Sequence, residues 1–189
     1  LPVLRRRLLN WYDRAKRDLP WRRTSDPYRI WLSEIMLQQT RVEAVIPYYR
    51  NFLRQFPGVA ALARAPEERV LAAWSGLGYY SRARNLQRAA RAILEHHAGK
   101  FPREERDVLA LPGIGQYTAA AVLSIAYGVP LAVLDGNVAR VLSRLLMLSA
   151  NVRDSRGKQQ LWKQAEQLLD ARRPGDFNQA MMELGATVC

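Results

Sequence analysis

The chain has 189 residues, with 29 Lys and Arg against 17 Asp and Glu, a formal net charge of +12. That length supports a real apolar core in one domain or two interleaved lobes, and the charge favours a polyanionic partner bound less tightly as salt rises. The only cysteine is Cys189, which excludes an intramolecular disulfide or a C-x-x-C metal site and fits a reducing compartment; the longest apolar stretch, 119–134, is too short and too broken by Ser124, Gly128 and Pro130 to span a membrane.

Helical spacing dominates from end to end. Residues 3–18 read as a basic amphipathic helix that stops at Pro20. Asp26-Pro27 is a helix start, an N-cap acid followed by Pro in the first turn, and the helix runs to about Thr40. Residues 42–56 form the next helix, stopped by Pro57-Gly58. Pro66-Glu67-Glu68 opens one that ends at Gly76-Leu77-Gly78. Residues 79–97 are long and Arg-studded, with Gly99 as the stop. Residues 103–110 lead into Leu111-Pro112-Gly113-Ile114-Gly115, and 117–127 follow. Asp135 sits where an N-cap belongs, ahead of 138–148, and helices over 155–171 and 176–186 complete an all-α chain. The best candidate strand, 131–134, is too short to alter that reading.

Three places carry chemistry. In Leu111-Pro112-Gly113-Ile114-Gly115 one helix ends, two glycines turn the chain, and another helix begins. Free amides beside the positive end of a helix dipole suit a phosphate; the plain alternative is a tight helix connection. Gly76-Leu77-Gly78-Tyr79-Tyr80 is a second, weaker glycine turn whose aromatics could stack on bases or simply pack inward. Glu34 lies mid-helix among Ile30, Trp31, Leu37 and Gln38, where desolvation would raise its pKa and make it an acid at neutral pH, unless it is an ordinary solvated glutamate. Asp135, before a helix, is either a plain N-cap or a carboxylate that helix-end donors keep charged. An acid and a charged carboxylate together are what cleavage at an anomeric carbon needs, one protonating the leaving group and the other stabilising an oxocarbenium-like state. The adjacent His96 and His97 at a helix end give little support to metal or triad chemistry.

Several motifs then fall in a recognisable order. L-P-G-I-G followed by Leu134-Asp135-Gly136-Asn137-Val138 resembles the helix-hairpin-helix/Gly-Pro-Asp DNA glycosylase superfamily. Leu19-Pro20-Trp21-Arg22, the run from Ser33 through Gln38-Gln39-Thr40-Arg41-Val42, and Gly76-Leu77-Gly78-Tyr79-Tyr80-Ser81-Arg82 resemble the A/G-specific adenine DNA glycosylases (MutY family), and the likeness continues to Cys189. The resemblance implies that Glu34 protonates adenine and Asp135 stabilises the cationic sugar, with Tyr117 and Asn137 supporting them. It implies that Trp21, Arg22 and Leu37 surround a flipped adenine. It places Gln39, Thr40, Leu77 and Tyr79 in the duplex near an opposing 8-oxoguanine, and Gly113 and Gly115 at a phosphate. Base extrusion gives such wedges a physical purpose. Relatives that also cut the strand carry a lysine at the Tyr117 position, and a phenol cannot form a Schiff base, so a monofunctional hydrolase is implied.

The same resemblance implies two helical lobes. One is a barrel over 19–129 that holds the hairpin, and the other combines 1–18 with 130–189, Asp135 facing Glu34 near the seam. Family members bind a [4Fe-4S] cluster through four cysteines. Here Cys189 is the one presumptive ligand, so the chain is expected to be a truncated core that does not assemble the cluster alone, its 176–186 helix frayed. The expected substrate is double-stranded DNA with adenine opposite 8-oxoguanine or guanine, handled by a cytoplasmic monomer. The alternatives are a bifunctional glycosylase/lyase for oxidised pyrimidines and a non-catalytic helix-hairpin-helix DNA-binding module.

Overall fold

The computed structural model describes residues 1–147 and 154–189. Among the described residues the chain is all-α, a set of helices with no strand. In chain order the helices are α1 (Pro2–Ala15), α2 (Pro27–Leu37), α3 (Val42–Gln55), α4 (Val59–Arg64), α5 (Glu67–Trp74), α6 (Tyr80–His96), α7 (Glu105–Leu109), α8 (Gln116–Tyr127), α9 (Gly136–Leu145), α10 (Ser155–Leu168) and α11 (Pro174–Thr187), with a 3-10 turn at Pro20–Arg23. The end expected for the 138–148 helix, at Leu148, lies outside the described residues.

Local capping sets several starts. Asp26 accepts hydrogen bonds from the Tyr28 and Arg29 amides at the head of α2, with Pro27 in the first turn. Asp135 accepts from the Val138 amide to open α9, and Asp154 accepts from the Gly157 amide to open α10. Some ends differ from the sequence expectation. Helix α1 stops at Ala15, because Lys16 is already extended, and α10 stops at Leu168. Helix α2 stops at Leu37, because Gln38 leaves helical geometry and Gln39 takes a left-handed φ of 58°. Helix α4 has no counterpart in the sequence reading. Its six residues are too few to show a period, and its last carbonyls are closed from α6, where Gln87 Nε2 donates to Leu62 O and Ala65 O and Arg91 Nε donates to Ala63 O.

The chain divides into two compact units, one of residues Asp18–Val122 and one of Leu1–Arg17 with Leu123–Cys189. The first is built on aromatic packing. Phe52 lies 4.7 Å from Phe56 and 5.9 Å from Trp74, and Trp31 lies 5.5 Å from Phe101, ring centre to ring centre. The Phe52–Trp74 pair is edge-to-face and the other two are tilted, and aromatic contacts of this kind add to what area burial alone supplies. Helix α4 packs on α6, and α2 on α3.

The second unit is organised by α11, which packs on α9 and α1. Gly185 allows the close approach to α9, since a Cβ there would sit 2.6 Å from Asn137 O. The Glu183 side chain is wholly buried and accepts from the Arg17 amide at 3.0 Å and from its Nε and Nη2 at 2.9 and 2.8 Å. The Asn178 amide ties down residues 131–134: it accepts from the Val133 amide and donates to Leu131 O and Ser124 Oγ. This last helix is therefore the most embedded of its unit, and the expected fraying of 176–186 is not what its packing describes. Phe177, Ala180 and Met181 are all buried.

Candidate active site

Two polar constellations occupy the two units. In the first, Glu34 projects from the middle of α2, where eight of the eleven helix residues are buried, and is itself only 7% exposed. The Tyr117 hydroxyl donates to Glu34 Oε2 at 2.8 Å. Tyr117 belongs to the first turn of α8, directly after the 111–115 hairpin, so the glycine turn that opens α8 also sets the position of the phenol against the carboxylate. A buried carboxyl oriented by a positioned hydroxyl is a candidate proton donor or acceptor.

In the second unit Asp135 does what an N-cap does, and more. Its Oδ1 accepts from the Val138 amide at 2.8 Å and its Oδ2 accepts from Asn137 Nδ2 at 2.8 Å. Asn137 is held in turn, since its Oδ1 accepts from Arg140 Nη1, which also donates to Gly185 O at the end of α11. Both carboxylate oxygens thus have assigned donors. The cap is the means by which the carboxylate is held.

The hairpin separates its two glycines by role. Gly113 has φ +77°, and a Cβ there would lie 2.7 Å from the Asn85 Cβ, so it is needed for the fold itself. At Gly115 a Cβ would meet nothing within 4 Å and φ is not positive. At Gly115 nothing in the fold demands glycine, and the position is exposed ahead of the α8 amides.

The remaining predicted residues divide. Gln39, with its left-handed backbone, and Tyr79, with φ 47° and 59% exposure, are presented to solvent. Tyr80 is exposed as well, whereas Leu77 is buried. Thr40 and Leu37 are half-buried at the end of α2. Trp21 is buried in the 3-10 turn, edge-on to Tyr49 at 5.4 Å, with Arg22 half-buried beside it.

Sequence reasoning missed Arg82, which donates to Ile35 O, Met36 O and Gln38 O and to Leu77 O and Gly78 O. The signal was there: Arg82 shares the buried stripe of α6 with Leu86, Ala89 and Ile93 at helical spacing. Cys189 is exposed, and the described residues hold no group of three His, Cys, Asp or Glu that could bind a metal. One thiolate does not fit a [4Fe-4S] cluster, which takes four.

No described helix is long and apolar enough to cross a membrane. Comparison with known proteins gives a consistent result. The profile of the HhH-GPD superfamily of base excision DNA repair proteins matches residues 32–167. The chain is 51% identical to the human adenine DNA glycosylase over 96% of its own length and 35% of that protein, and 42% identical to the adenine DNA glycosylase of Buchnera aphidicola subsp. Baizongia pistaciae over 96% of itself and 52% of the relative. It thus spans from about a third to about half of these curated relatives. Among solved structures, a thermostable thymine-DNA glycosylase superposes with a TM-score of 0.87 at 30% identity, covering 100% of this chain and 87% of that one. An endonuclease III–DNA complex superposes at 0.83 and 21% identity, over 100% of this chain and 85% of that one, a likeness of fold alone. With the profile covering most of the chain and the solved glycosylase matched along almost its whole length, this chain belongs to the HhH-GPD superfamily of base excision DNA repair proteins.

Proposed function

We propose that this chain carries the catalytic centre of a monofunctional DNA glycosylase that hydrolyses the N-glycosidic bond of adenine opposite 8-oxoguanine or guanine. The observation that carries the proposal is the hydrogen bond from Tyr117 to the buried Glu34. A phenol, not an amine, stands beside the acid, so no Schiff base with the sugar forms there. The identity to curated adenine DNA glycosylases supports adenine as the base removed.

In this reading the adenine is flipped out of the stack, and Glu34 gives its proton to a ring nitrogen. That turns the departing base into a neutral leaving group. The bond from the base to the anomeric carbon breaks and leaves positive charge on the sugar, which the Asp135 carboxylate stabilises. Water then adds to the anomeric carbon and passes a proton to the Glu34 carboxylate, which restores the acid and gives free adenine and an abasic site. The α8 amides after Gly115 hold a backbone phosphate, and Gln39 and Tyr79 enter the duplex. Where three further cysteines accompany it, Cys189 would supply one of four thiolates to a [4Fe-4S] cluster.

The test is strand cleavage by alkali after incubating the full-length protein with a duplex containing adenine opposite 8-oxoguanine. Cleavage at the adenine, with no covalent adduct when borohydride is present, is the expected result. An intact strand would refute glycosylase action, and a trapped adduct would assign a lyase instead.

A further inference from the structure

Arg82 is buried, at 9% exposure, yet among the described residues no carboxylate pairs with it. Its charge is met by backbone dipoles and ring faces instead. Nη1 donates to Ile35 O at 3.0 Å, to Met36 O at 3.2 Å and to Gln38 O. Nη2 donates to Leu77 O at 3.1 Å, Gly78 O at 3.3 Å and Thr40 Oγ1 at 3.4 Å. The guanidinium lies 5.5 Å from the Trp74 ring centre and 5.4 Å from that of Tyr79. Burying a cation without a counter-ion is expensive, so an arginine that survives there is fixing something.

What it fixes is specific. The acceptors belong to two segments far apart in sequence, 35–40 and 77–78. The first segment contains, and the second leads directly into, a non-glycine residue held in the left-handed region, Gln39 at φ 58° and Tyr79 at φ 47°. Both residues are exposed. Strained, outward-facing residues persist only where the surroundings over-determine them, and a planar fork with several donors suits bridging two segments better than a flexible ammonium does.

We propose that Arg82 is a positioning residue that locks Gln39 and Tyr79 into one preformed wedge for the duplex. The proposal rests on the function given above only for the word duplex; the clamp itself is a property of the free protein. Preorganisation of this kind removes an ordering cost from binding and from the chemical step.

The decisive variant is Arg82→Lys in the full-length protein, which keeps the charge and loses the fork. Amide hydrogen exchange without DNA should quicken together at 38–40 and 77–79 while the rest of the Asp18–Val122 unit keeps its protection. Unchanged exchange in both segments, or faster exchange throughout the unit, would overturn the clamp. On duplex with adenine opposite 8-oxoguanine, the single-turnover rate at saturating protein should fall by about 10²-fold, with affinity for fully matched duplex kept within about twofold. In the double variant with Tyr79→Ala the loss should be smaller than the product of the two single losses; a full product would mean that Arg82 does not act through the wedge. Should Arg82→Lys fail to fold, the same readouts apply to Arg82→Gln, which keeps a neutral NH2 donor for the same carbonyls and loses the fork. If the unaltered protein excises no adenine, the function proposal fails, and the exchange measurement alone decides the clamp.

Discussion

The Tyr117 hydroxyl stands 2.8 Å from Glu34 Oε2 and donates to it, although 83 residues separate the two in sequence. The contact exists because α2 buries the carboxylate on its inner face and the 111–115 hairpin starts α8 with Tyr117 in the first turn. Replacing Glu34 by Gln leaves an oxygen for that phenol to meet and removes the transferable proton. Excision should fall by about 10²–10⁴-fold, with duplex affinity and thermal unfolding little changed. Near-normal single-turnover excision by Glu34→Gln would remove Glu34 from the proton-donor role.

Asp135→Asn is a sharper test than the capping rule alone suggests. Asn caps a helix about as well as Asp, and its Oδ1 can still take the Val138 amide. Its new Nδ2, however, would face Asn137 Nδ2, a donor against a donor, unless Asn137 turns over and gives up Arg140. A loss of about 1 kcal/mol in stability is expected, together with collapse of excision well beyond it. Activity that recovers once the protein is stabilised by osmolyte would mean that Asp135 is only a cap.

The two hairpin glycines should separate in experiment. Gly113→Ala forces a side chain into a left-handed residue and against Asn85, and should lower stability by about 1–3 kcal/mol. Gly115→Ala should leave the melting temperature nearly unchanged. Gly115→Asp puts a negative charge ahead of the α8 amides and should weaken matched and mispaired duplexes alike, because phosphate contacts carry no sequence information. A loss confined to the mispair would count against a phosphate site.

Two tyrosines give a pH prediction. Burial pushes the Tyr49 phenol up to about 12 and pushes Tyr28 up also, with Asp26 adding to the effect; the Tyr28 hydroxyl donates to Phe56 O at 2.7 Å. An unfolded phenol ionises near about 10. Because the folded value lies above the unfolded one, this contribution to stability is intact below about 10 and is lost as pH rises towards about 12. Phenolate absorbance should show these two rings titrating only as helical circular dichroism is lost. All eight tyrosines ionising as one class, with the helices intact, would contradict it.

Much of the site could be read from the residues because its elements announce themselves locally. Asp26-Pro27 marks the start of α2 and so places Glu34 mid-helix, and Asp135 announces α9. What could not be read depends on tertiary neighbours. Helix α4 is shorter than two turns and owes its closure to Gln87 and Arg91 on another helix. Leu77 sits in a motif that looks outward, yet its side chain is buried beside an exposed Tyr79. Arg82 lies in an arginine-studded run where composition favours solvent, and only its place on the apolar stripe of α6 distinguishes it from Arg84.

The Asn178 amide gives the second unit a protection that has nothing to do with catalysis. Residues 131–134, Leu-Ala-Val-Leu, lie outside any helix, are apolar and carry no charge, which is the composition of a segment that recruits a neighbouring chain edge to edge when exposed. Asn178 takes the Val133 amide and the Leu131 carbonyl for itself, so these two groups are not left for a passing strand. With Ala132, Val133 and Leu134 already buried, loss of the Asn178 amide should add two unsatisfied backbone groups to an apolar segment, and the expected sign is a rise in light scattering on storage before any loss of excision.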